Sequence, residues 1–206
     1  MKTAMALAVA LALSAPLAFA QTAASDTRAN TSGTSAGTSG TNSGAGSTGA
    51  ANRTADAKKL DRQTEEFFKE GAIGGMAEVE LGQLAAQKAT NPDVKAFGQM
   101  MVKDHTGANE KLKALAQSHG VQLPTELDRK HQRAKEKLAE KQGADFDKAY
   151  MDQMVKDHKK TIDLFEDTVK KSDVADVKTL AEGTLPTLRE HLKLAQQLED
   201  TVKKNK

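Results

Sequence analysis

The chain has 206 residues with no cysteine and no tryptophan, one tyrosine and six phenylalanines, and its 30 Lys and Arg against 28 Asp and Glu leave a net charge of +2. Without cysteine there is no disulfide framework, thiolate metal site or thiol nucleophile, and a charge so nearly balanced gathers no nucleic acid. The scarcity of aromatic and β-branched runs excludes an all-β fold.

Residues 1–20 read as an export signal. Lys2 supplies the positive start, Ala4 to Leu13 the apolar run, and Ala18-Phe19-Ala20 the small-x-small cleavage pattern. That run falls short of the ~20 residues that span a bilayer, and no later stretch reaches that length without charges. The mature chain is therefore expected to begin near Gln21 without a transmembrane segment. Residues 21–57 are Ala, Gly, Ser and Thr, with Asp26, Arg28, Arg53 and Asp56 as the only charges. Nothing there is large enough to bury, so the segment reads as a disordered linker.

Residues 58–206 carry the fold. Apolar residues recur there at three- and four-residue steps, the helical period. The stripes are Phe68-Ala72-Met76-Val79; Val94-Phe97-Met101-His105-Ala108-Leu112-Leu115; Met151-Met154-His158-Ile162-Phe165-Val169; and Val177-Leu180-Thr184-Leu188-His191-Ala195-Leu198-Val202. Asn91-Pro92 separates the first two, Gly120 and Pro124 close the second, and Ser172-Asp173 caps between the third and fourth. Four long helices with one apolar face each predict a four-helix bundle. The connection between the second and third is long, and carries a small amphipathic segment with Leu127, His131, Ala134 and Leu138. One long central connection between two hairpins is the ferritin-like arrangement. Pro186, beside Gly183, predicts a kink in the fourth helix just before His191.

Of the five histidines, His105, His158 and His191 each lie on the apolar stripe of a different helix. A buried imidazole needs hydrogen-bond partners or a metal. Glu78 shares a helix face with Gly71, Gly75 and Gly82, where another helix can come close, and Glu80 shares one with Ile73, Ala77 and Leu84. Glu78 and His105 are equally distant from the Asn91-Pro92 break, which sets them side by side. His158 and His191 differ by about one turn, roughly 5 Å, a mismatch that the Pro186 kink either absorbs or does not. Met101-Val102-Lys103-Asp104-His105 recurs as Met154-Val155-Lys156-Asp157-His158, so each copy presents a thioether and an imidazole on one face. The methionines read first as core fillers; Asp104 and Asp157 point away from their histidines, to brace a neighbouring helix or meet water.

The stretch GGMAEVELGQLAAQKATNPDVKAFGQMMVKDHTGANEKLKALAQSHGVQLP, with the later MVKDH and LPTLREHL, resembles an exported bacterial domain of unknown function, family 4142. Members of that family are often labelled putative outer membrane proteins and predicted to be ferritin-like. The resemblance runs from about residue 60 to 203. It implies a ferritin-like fold and an envelope address, and no activity.

Two functions from different classes fit these residues. The first is an exported envelope protein of the periplasm or outer membrane, non-catalytic, binding or structural or acting in stress tolerance, with peripheral association to the envelope. No nucleophile-and-base set or phosphate loop accompanies the helices, and the Ser and Thr residues concentrate in the linker. The alternative is a metal-binding protein, with one transition-metal ion (zinc, iron or copper) held by Glu78 or Glu80, His105, His158 and His191, and Met101 or Met154 as soft ligands favouring copper. A di-iron centre needs acids three residues before its histidines; Val102, Val155 and Leu188 stand there instead. Three clustered imidazoles also suit a pH sensor.

Overall fold

The computed structural model describes residues 60–204; the export-signal and linker readings fall on residues outside them. Every regular element among the described residues is helical: α1 (Arg62–Lys88), α2 (Pro92–Ser118), α3 (Arg129–Ala139), α4 (Gly143–Lys171) and α5 (Ala175–Lys204). Among the described residues no helix is long and apolar enough to cross a membrane.

Local chemistry sets the helix ends. Asp61 caps α1 by accepting from the Thr64 backbone N–H at 2.8 Å, and Asn91 caps α2, with Pro92 at the first helical position. Gly120, at φ 68°, ends α2 in the left-handed conformation that glycine adopts cheaply. The Val121 N–H then reaches back to the Ala116 carbonyl at 2.8 Å. The amphipathic segment of the long connection becomes α3, whose Leu138 is buried in the core. Pro186 lies inside an unbroken α5. Both Pro186 and Glu182 are exposed, so the carbonyl that loses its partner faces water, while Leu185 and Leu188 stay buried on the opposite side.

Neighbouring long helices run antiparallel. Thr64 meets Ser172, Phe67 meets Phe165, and Glu78 approaches His158, while Asp147 accepts hydrogen bonds from Thr90 and Asn91. These pairs run α1 against α4 in opposite directions. His105 with His191 and His119 with Asp176 do the same for α2 and α5. The chain therefore leaves α2 at one end and enters α4 at the other, and α3 lies along that traverse against α1 and α4. Lys135 of α3 holds Glu80 of α1 at 2.7 Å.

The apolar interior is in two clusters. One gathers Phe97, Met101, Phe146, Tyr150 and Met154 towards the α1–α2 turn; the other gathers Phe67, Phe68, Leu112, Phe165 and Leu188 towards the α4–α5 turn. Between them, on four different helices, lie buried Glu78, His105, His158 and His191. On α1 the buried face turns from Ala72 to Ala77, Glu78 and Leu81, leaving Met76 and Val79 half-buried.

Candidate metal centre

The three stripe histidines meet. Ring centroids are 5.5 Å apart for His105–His158, 5.4 Å for His105–His191 and 5.5 Å for His158–His191. Side-chain tilt narrows the one-turn mismatch between His158 and His191. In an α-helix the Cα–Cβ bond leans toward the N-terminus. On two antiparallel helices this carries His158 away from the α4–α5 turn and His191 toward it. The leanings add and bring the rings towards each other, to a centroid distance of 5.5 Å.

Outer contacts decide which nitrogens face inward with lone pairs. His158 Nδ1 lies 2.9 Å from the Met154 carbonyl oxygen, which only accepts, so Nδ1 carries the proton and Nε2 does not. His191 Nε2 lies 3.1 Å from Asp104 Oδ2, so the proton sits there and Nδ1 keeps its lone pair. Asp104 thus braces the helix opposite its own. Nε2 of His105, Nε2 of His158, Nδ1 of His191 and Oε2 of Glu78 are all buried without a hydrogen-bond partner. Each imidazole offers a nitrogen, and these lie within 4.8 Å of one another. Two nitrogens in a tetrahedral set about 2.1 Å from an ion stand about 3.4 Å apart, so closing on an ion takes a movement of up to about 1 Å in each ring. The other carboxyl oxygen of Glu78 is 3.6 Å from His158 Nδ1.

Burial sets the protonation states. Desolvation, with the neighbouring imidazoles, lowers His105 to about 3. His158 falls to about 4, chiefly by desolvation and then by His191. Desolvation lowers His191 too, against the pull of Asp104. The Glu78 carboxyl is raised well above its usual range by desolvation and then by Asp157. Near neutral pH the site is thus three neutral imidazoles beside a carboxyl group, the donor set of a borderline transition metal.

Among the described residues, the group of donor atoms within reach of one ion is the three histidines alone, without Glu78 or Glu80. Glu80 is half-buried in its ion pair with Lys135. Met101 and Met154 are fully buried among the apolar residues one turn before their histidines. Asp157 bonds Gln153 of its own helix at 2.7 Å. His119 pairs with Asp176, and His131 with Asp128. Sequence reasoning missed Tyr150, the sole tyrosine, whose fully buried hydroxyl has no partner. Burial and the nearby Glu78 carboxyl push that hydroxyl well above its usual value. Its signal was the spacing Tyr150-Met154-His158, which puts it on the histidine's face.

The family description "Domain of unknown function (DUF4142)" matches residues 49–198. The chain belongs to the DUF4142 family. No curated protein matches it. Among solved structures, a DUF305 fragment from Deinococcus radiodurans is similar, with a TM-score of 0.61 and 11% identity over 69% of this chain and 98% of that one. At that identity the likeness shows that this DUF4142 domain shares its helical fold.

Proposed function

We propose that the domain is a ferritin-like four-helix bundle that binds one transition-metal ion through His105, His158 and His191, with Glu78 as the fourth ligand. The observation that carries this reading is the set of inward nitrogens left without partners while the outer nitrogens of His158 and His191 are anchored. A metal-bound histidine characteristically gives its other N–H to a carboxylate or a backbone carbonyl. A core histidine kept only for packing has no need of a bare lone pair, which is costly to bury. Imidazole donors suit zinc, iron and copper alike. Glu78 is the preferred carboxylate because it is buried between the two apolar clusters.

We place the protein in the cell envelope, on the strength of Lys2, the apolar run and Ala18-Phe19-Ala20. There the domain acts by binding, with peripheral association to the envelope.

Metal analysis of untagged protein purified from the periplasm is the test. One zinc, iron or copper per chain is expected, lost in both His105→Ala and His158→Ala. Wild-type protein without metal, and without a thermal shift on adding each ion, would leave the exported scaffold as the surviving reading.

A further inference from the structure

We propose that the metal in the three-histidine centre is exchangeable and is loaded through a side passage whose neck is Gly74, Glu78 and Thr161. This inference rests on the metal reading above. Two cavities flank the neck. The outer one, about 130 Å³, opens between α1, α3 and α4 and is lined by Asp128, His131 and Asp157 as well as the three neck residues. The inner one, about 50 Å³, is lined by the same neck residues and by His105 and His191, and has a mouth of its own beside exposed Thr187. A water needs roughly 10–15 Å³ of such space, so each cavity holds more than one.

The linings change from outside to inside as dehydration of a cation requires. Outside, Glu70, Asp128, Asp157 and Glu78 offer four carboxyl groups against the ammonium groups of Lys130 and Lys160. Lys160 is held by Glu70 at 3.0 Å, and the His131 ring by Asp128 at 2.7 Å. Inside, Leu112, Leu180 and Leu188 form an apolar wall opposite the imidazoles. Glu78 belongs to both cavities, is 4% exposed, and has one oxygen without any hydrogen-bond partner. It can receive an ion from the Asp157 side and pass it to the nitrogens.

Gly74 is the second independent observation. Glycine in mid-helix is unfavourable relative to alanine, and here no neighbour lies within 4 Å of where its Cβ would stand. Packing does not require glycine at this position. The missing side chain leaves open space at a residue that lines both cavities.

Stopped-flow mixing of metal-free full-length protein with Co²⁺, followed by the absorbance of the bound ion, tests the passage. In Gly74→Leu, association and release are expected to slow together by about tenfold or more, with affinity within about twofold of wild type. Asp157→Asn slows association several-fold. Gly107→Leu, on α2 with equally open space and lining neither cavity, leaves both rates unchanged, which separates a plugged neck from a bulky substitution in general. Stoichiometric Co²⁺ with wild-type rates in both Gly74→Leu and Asp157→Asn overturns the passage and leaves the metal reading intact. A loss of affinity without slower association overturns it too, because the substitution then acts on the site. No Co²⁺ uptake by wild type overturns the metal reading, and the passage with it.

Discussion

His191 depends on a residue that would never touch the ion. Asp104, reaching across from α2, fixes the His191 proton on Nε2 at 3.1 Å and so turns the Nδ1 lone pair inward. Second-sphere partners of this kind typically contribute 10- to 100-fold in metal affinity. Asp104→Ala is accordingly expected to weaken binding by about that factor while leaving the stoichiometry at one, as read by competition with a chelator of known affinity. Substitution of His158 removes a ligand outright, so the two variants differ in kind. The sequence made these histidines legible because helical periodicity alone puts positions 105, 158 and 191 on buried stripes. It also favoured Glu78 through its glycine-lined face, but did not separate it from Glu80. What the outer nitrogens would bond to was not legible, since that depends on how α2 and α5 are rotated against each other. The hydroxyl of Tyr150 was hidden for a similar reason, because an aromatic in a core normally signals packing.

At the scale of the element, α1 and α2 cross at bare backbone. A Cβ on Gly98 would stand 2.8 Å from both the Ala85 Cβ and the Gly82 carbonyl oxygen, closer than real Cβ contacts come. Gly98→Val should therefore destabilise the fold by about 1–3 kcal/mol, read as a lower urea midpoint at unchanged slope. Gly107→Ala, where nothing crowds the added carbon, should instead stabilise by up to about 1 kcal/mol. The caps and the amphipathic character of α3 were legible in Asn91-Pro92, Gly120, Ser172 and the Leu127–Leu138 pattern. Pro186 was legible as a lost hydrogen bond within α5, but which side of the helix it occupies was not. Facing water, it frees a carbonyl that solvent satisfies.

For the molecule as a whole, the buried polar layer links stability to pH. With His105 near 3 and His158 near 4 in the folded chain, against ~6.5 when unfolded, the unfolded state binds more protons through that interval. Stability of the metal-free protein is thus fully present above pH 6.5 and falls as pH drops towards 4. Each such imidazole contributes up to about 1.4 kcal/mol per pH unit. Glu78 works in the opposite sense. Its folded carboxyl holds a proton that the unfolded one releases above about 4.5, so it offsets part of the acid loss. Urea midpoints of the chelated protein between pH 8 and 4.5 should follow this course. His105→Gln together with His158→Gln should flatten it, and Glu78→Gln should steepen it. A flat wild-type curve would contradict the buried-neutral assignment.

The division of the interior into two oily blocks, one near each pair of turns, has a mechanical consequence. A rod of paired helices ordinarily frays from its tips, because its middle is the best-packed stretch. Here the tips are well packed, by phenylalanines on one side and by Phe146 and Tyr150 on the other. The waist instead carries hydrophilic groups without mates. An ion at the waist would act as a rivet through all four rods, making the weakest cross-section the stiffest.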